Sequence, residues 1–174
     1  MIRIELPAIS GANISTDDLI YSGLDVVNSK FIPDIVDGIE NYVSTYSSAI
    51  VNRHNNEILG LIIVSSINLE CVDSQETGYL VSGCGITNNI NCEIRDYVIN
   101  QLISHIEFLF RMGRNDDNTL ATNYFCLQPN TEEECEEIMT SYGMTKHSYN
   151  NYTILSKPNN GYLMNLGFLK RYFK

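Results

Sequence analysis

The spacing of apolar and polar positions changes character several times along the chain, and each change marks an element. From Cys92 to Met112 the apolar residues Ile94, Val98, Leu102, Ile106, Leu109 and Phe110 recur three to four positions apart. That spacing predicts one long amphipathic helix. Upstream the period is shorter. Ser48 to Asn52 and Glu57 to Ser66 are β-branched, apolar runs on either side of the polar group Arg53, His54, Asn55 and Asn56, which predicts a hairpin. Its second arm is apolar on both faces from Ile58 to Val64, broken only by Gly60, so it is expected to be a central strand with helices over both faces. A further strand fits Gly78 to Ile86, where Gly83 and Gly85 suggest a bulge or the close approach of another backbone.

The remaining elements are shorter. Arg3 to Leu6 alternates polar with apolar and stops at Pro7, a first short strand. Ser15, Thr16, Asp17 and Asp18 are N-cap and first-turn residues ahead of Leu19, Ile20, Leu24, Val26 and Val27, which predicts a helix from about residue 16. Pro33 and Asp34 open a second helical stretch through Ile35, Ile39, Tyr42 and Val43, with Gly38 against it. Leu120 to Leu127 reads as a strand. Thr131 followed by Glu132, Glu133 and Glu134 is a capping box for a short helix that ends at Gly143. Met144 to His147 and Tyr152 to Lys157 make a terminal hairpin around Tyr149, Asn150 and Asn151. Residues 158 to 174 show no clean period and are left unassigned. The expected architecture is one domain over residues 1–174, an α/β (α+β) mixed sheet with helices on both faces.

Composition narrows what such a domain does. A net charge of -10 repels nucleic acid phosphates and suits a basic substrate, although acidity also serves solubility alone. Five cysteines, at 71, 84, 92, 126 and 135, form no CxxC pair and none lies at zinc-finger spacing from a histidine, so no metal is expected and the thiols read as reduced. The apolar run at Ile58 to Val64 is far short of the roughly 20 residues that span a bilayer, and the first six residues lack the pattern of a signal peptide. A cytoplasmic protein without membrane contact is the expectation. The abundance of Asn, Ile and Tyr points to an AT-rich genome, such as that of a virus or parasite, and carries no chemistry.

Two passages and the order of elements carry a resemblance. Asn55, Asn56 and Glu57 followed by Ile58, Leu59 and Gly60, and the stretch Leu127 to Met144 reading L-Q-P-N-T-E-E-E-C-E-E-I-M-T-S-Y-G-M, resemble passages of the GNAT superfamily of N-acetyltransferases. The order of strand, two helices, hairpin, strand, long helix, strand, capped helix and hairpin is similar to that family's order over residues 1 to 157. The resemblance implies an acyl-CoA N-acyltransferase (GNAT-like) fold and binding of acetyl-CoA. Carried over, the strand that meets pantetheine is Gly83 to Ile86, with Cys84, Gly85 and Ile86 at the thioester. The pyrophosphate cradle is Asn88 to Arg95, with Asn91, Cys92, Ile94 and Arg95 in contact and Asn130 nearby. The family writes glycines in that cradle; here there is none, and Glu93 puts a negative charge there.

For catalysis the resemblance implies an acid on the short helix and a base on the neighbouring strand. The family's usual tyrosine position falls at Met139, with Tyr142 three residues on, and Glu70 and Glu76 flank the strand as candidate bases. The plainer reading packs Tyr142 under its helix end and leaves both carboxylates in solvent. A Cys-His pair drawn from five cysteines and His54, His105 or His147 is too unconstrained to weigh. Two functions follow. One is an acetyl-CoA-dependent N-acetyltransferase acting on an amine of a basic protein or small cation. The other is a GNAT-fold binding or assembly protein that has lost acyl transfer, with the apolar tail from Tyr162 to Phe173 as its candidate contact surface, the plainer reading being that this tail closes the core. A protein partner and a homodimer both remain open.

Overall fold

The computed structural model describes residues 2–3, 5–6, 24–28, 44–52, 57–71, 74–88, 90–112, 124–149, 152–159 and 165–173. Strands are β1 (Ile2–Arg3), β2 (Leu24–Asn28), β3 (Ser44–Asn52), β4 (Ile58–Cys71), β5 (Ser74–Ile86), β6 (Tyr124–Leu127), β7 (Thr145–Tyr149) and β8 (Tyr152–Pro158). The helices are α1 (Cys92–Met112) and α2 (Glu132–Tyr142), followed by a C-terminal 3-10 helix at Gly167–Phe173. Seven strands run in the order β2-β3-β4-β5-β6-β8-β7, and β1 pairs with β5 off this path. The sheet is mixed: β5 is parallel to β6 and to β1, and the other pairs are antiparallel.

Helix α1 lies along one face of this sheet because its apolar stripe has a matching surface to bury against. Ile94, Val98, Leu102, Ile106 and Phe110 share one buried cluster with Ile62, Val64, Val81, Phe125 and Leu155 of the strands and with Cys135 and Ile138 of α2. The other face carries two smaller clusters, Ala49, Val51, Leu61 and Ile63 under Leu6, and Leu69, Leu80, Cys126 and Ile154. Both described helices therefore sit on one face, and the helices expected over the other fall mostly outside the described residues. β4 has the two apolar faces its sequence predicts. Gly60 lets α1 come close: a Cβ built there would stand 2.8 Å from Val98 Cγ1 and 3.0 Å from Leu102 Cδ1. Gly60→Ala is expected to lower stability by about 1–3 kcal/mol through overpacking. Urea unfolding measures it, and a loss under about 0.5 kcal/mol would mean that the helix shifts away without cost.

Some elements differ from expectation. Leu24, Val26 and Val27, assigned from the pattern to the end of a helix, instead form β2, where Val26 and Val27 pair with Ile50 and Ala49 of β3. β-branched residues fit a sheet edge well, and pairing with a strand distant in sequence outweighs a weak helical period. The rest of that helix and the whole of the second one lie outside the described residues. The first strand is Ile2–Arg3 rather than Arg3 to Leu6. The helix ends read correctly. Thr131 Oγ1 accepts from Glu134 N at 3.1 Å, and Gly143 closes α2 at φ 64°, a left-handed conformation that glycine adopts without strain.

Candidate functional site

The site is built where β5 and β6 part. They pair from Gly78 with Tyr124 to Val81 with Leu127, and there β6 ends. One residue later Ser82 has no opposite number on β4, because Ile63 pairs with Gly83 while Val64 pairs with Val81. This is the bulge that Gly83 and Gly85 suggested, and it re-aims the last turn of β5. From Gly83 onward the edge that faced β6 meets a different neighbour. Ile2 pairs with Gly83 and Arg3 with Cys84, while the other edge of both residues is already held by Ile63 and Ile62 of β4. β1 thus takes up the edge that β6 leaves.

Above the sheet, the C-terminal 3-10 helix lies between α1 and α2. Leu166, Leu169 and Phe173 are buried in the main cluster, and the ring of Phe168 packs against Phe125 at 6.1 Å between centroids. Polar contacts tie the segment to every wall. Leu166 N donates to Glu107 Oε1 at 2.8 Å, and the Arg171 guanidinium gives two hydrogen bonds to the Glu137 carboxylate at 3.2 and 3.0 Å. The Tyr172 hydroxyl donates to Glu134 Oε1, while Glu134 Oε2 accepts from Asn130 N at 2.8 Å. Glu134 therefore caps its own helix start and holds the tail. Burial, and then the Glu134 carboxylate, push the Tyr172 hydroxyl well above the usual tyrosine range, so it stays a donor. The tail from Tyr162 to Phe173, which the sequence offers either as a contact surface or as a segment that closes the core, buries Leu166, Leu169 and Phe173 and leaves Asn165 and Lys170 exposed. A signal was present: Leu166, Leu169 and Phe173 are spaced three and four apart, but over too short a stretch to register as a helix.

Cys84 Sγ donates to Tyr172 O at 3.3 Å, and burial pushes its thiol up to about 12, so it is protonated and no nucleophile. Gly85 is buried and Ile86 half-buried beside it. Arg95, the one cation of the presumed cradle, donates to Phe173 O. Asn91 Oδ1 accepts from Ile94 N at 2.8 Å, an ordinary N-cap, with Ile94 buried and Cys92 and Glu93 exposed. Asn91, Cys92, Ile94, Arg95 and Cys84 are thus gathered at the end of β5, with Asn130 across the tail from them. A cavity of about 390 Å³ beside them is lined by Arg95, Asp96, Ile99, Asn100, Lys170 and Phe173.

Of the candidate catalytic residues, Glu70 and Glu76 do not join this group, whereas Tyr142 meets the same tail. Glu76 stands eight residues before Cys84 on β5, about 25 Å away at strand rise, and Glu70 pairs with Gln75 at the same far end of the hairpin. Tyr142 stacks on Phe168 at 4.4 Å and 28°, at the end of α2. Met139 is half-buried and takes a contact from the Cys135 thiol at 3.9 Å. His147 Nε2 lies 2.7 Å from Ser156 Oγ, and burial holds His105 below its ordinary value. Among the described residues no group of three or more His, Cys, Asp or Glu is placed to hold a metal, and no helix is long and apolar enough to cross a membrane.

Acetyl-CoA, implied by the resemblance, does not fit these residues as they stand. The strand edge meant for pantetheine is paired to β1 at Gly83 and Cys84, the Cys84 thiol and the Arg95 guanidinium are bonded to tail carbonyls, and Asn88 to Arg95 contains no glycine.

No family model matches the chain, and no curated protein matches its sequence. Among solved structures it is similar to a point mutant of the AtaT toxin bound to the C-terminus of the antitoxin AtaR and acetyl-CoA, at TM-score 0.44 and 10% identity over 66% of this chain and 68% of that one. It is also similar to the KacTA-DNA complex, at TM-score 0.43 and 11% identity over 66% and 67%. Arabidopsis thaliana NAA60 in complex with acetyl-CoA gives TM-score 0.34 and 11% identity over 67% and 76%. The order of its elements and a mixed sheet with both described helices on one face give the chain a mixed α/β fold.

Proposed function

We propose that the chain is a GNAT-fold binding or assembly protein that works without acyl transfer. One observation carries this reading: the cleft between α1 and α2, where β5 leaves β6, is filled by the chain's own C-terminal 3-10 helix. Burying Leu169 and Phe173 there stabilises the fold by about 1.5–3 kcal/mol for each side chain, so a coenzyme would have to displace apolar core and not merely solvent. The candidate bases Glu70 and Glu76 are remote from that cleft, and Tyr142 is stacked on the tail.

A thermal shift measurement with acetyl-CoA tests the reading. A ligand that binds only the folded state at about 100 times its dissociation constant adds about 2.7 kcal/mol, which for a chain of this length is roughly 5–10 °C. No shift is expected at millimolar acetyl-CoA. A rise of that size would instead favour an acetyl-CoA-dependent N-acetyltransferase acting on an amine. The bulge at Ser82 and the parted strands favour that second reading, because they are the geometry the resemblance implies for a pantetheine site.

A further inference from the structure

We propose that the cleft between α1 and α2 is a groove for a peptide segment in which basic residues are flanked by aromatic ones, and that residues 167–173 are its occupant in cis. The inference rests on the binding-protein reading and names the partner's chemistry. The groove holds its occupant as a protein reads a peptide, through main chain and side chains together. Main-chain carbonyls of Tyr172 and Phe173 accept from Cys84 and Arg95, and the Leu166 amide donates to Glu107. Aromatic side chains fill the floor, with Phe168 against Phe125 and Tyr142, and Phe173 buried.

Charge supplies the direction. Helix α2 carries Glu132, Glu133, Glu134, Glu136 and Glu137, in a chain of net charge -10, and Lys146 is bonded to Glu132. Glu134 and Glu137 hold the occupant, one through Tyr172 and the other through both terminal nitrogens of Arg171. The occupant in turn is basic, with Lys170 and Arg171 and no acid among its seven residues. Its ion pair with α2 is solvent-accessible: Arg171 and Glu137 are 33% and 57% exposed, where an ion pair orients more than it stabilises. A segment of another chain with the same pattern, aromatic, leucine, two basic residues and two aromatics, has the same contacts available once these ties are loosened.

The test uses the full chain in two forms. One carries Arg171→Ala with Tyr172→Phe, which removes the polar ties to α2 and keeps Leu169 and Phe173 in the core. The other carries Phe173→Ala, and the first decides alone if this one does not fold. A labelled synthetic peptide with the sequence of residues 165–174 is titrated by fluorescence anisotropy. Binding to the variants at least 10-fold tighter than to the unaltered chain is expected, with a rise in Tm on peptide addition. Glu134→Gln with Glu137→Gln, added to the first variant, should remove the gain. A scrambled peptide of the same composition that binds equally well overturns the proposal, as does failure of every folded variant to bind. Acetyl-CoA binding by the unaltered chain would sink the proposed function and leave the peptide result standing on its own.

Discussion

Replacing Phe173 with alanine is expected to lower the free energy of unfolding by about 3–5 kcal/mol, the range for deleting a buried phenylalanine. Phe173 is 2% exposed, whereas its neighbour Lys170, one turn back, is in solvent. The Phe173 side chain belongs to the main buried cluster, which also holds residues of α1, α2 and β5. The backbone on each side is also tied, by Arg95 to Phe173 O and by Cys84 to Tyr172 O, so local collapse cannot easily refill the space. Urea unfolding followed by circular dichroism should show a lower midpoint with an unchanged slope. A loss below about 1 kcal/mol would mean that the tail is an appendage and would remove the argument for a self-filled cleft.

A loss of similar size, about 3–5 kcal/mol, is expected from Phe125→Ala, for a different reason. Phe125 is the middle member of a chain of edge-to-face rings, 5.5 Å from Phe110 and 6.1 Å from Phe168, and Phe110 continues it to Tyr79 at 5.7 Å. Such pairs contribute about 0.5–1.5 kcal/mol each beyond area burial. Removing the central ring breaks two of them and takes the floor from under the tail. A Phe125→Leu variant keeps most of the volume and loses the ring geometry, and should fall between the alanine variant and the unaltered chain. Equal stability of the leucine variant and the parent would show that the ring contacts add nothing to the burial.

How much of the site was readable follows from which interactions are local. The capping box at Thr131 and the stop at Gly143 were placed to the residue, because cap geometry is set by residues three or four apart. The α1 stripe was likewise read over Cys92 to Met112, its observed span. β2 was not. Its pairing partner lies some 24 residues away on β3, and no local pattern distinguishes Val26 and Val27 in a strand from the same residues ending a helix. Cys84 and Arg95 were singled out as ligand contacts, and they do lie together, but their partners are Tyr172 O and Phe173 O, 88 and 78 residues on. A main-chain carbonyl carries no signature in a sequence. β1 on the edge of β5 was unreadable for the same reason, since strand edges are recognised through backbone groups that all residues share.

By itself the sequence determined the helix α1, the capped helix α2, the two-faced strand β4, the acidic charge and the order of elements from the β3-β4 hairpin to the β7-β8 hairpin. Each of these follows from periodicity or from contacts within one turn, which the chain encodes over a few residues. Only the tertiary structure decided what stands at the end of β5. Parting β5 from β6 creates unpaired edge and uncovered apolar surface, and both must be satisfied by something. Here β1 meets the edge and Leu169 and Phe173 cover the surface, because burial rewards whichever apolar segment reaches the cleft, however far along the chain it lies.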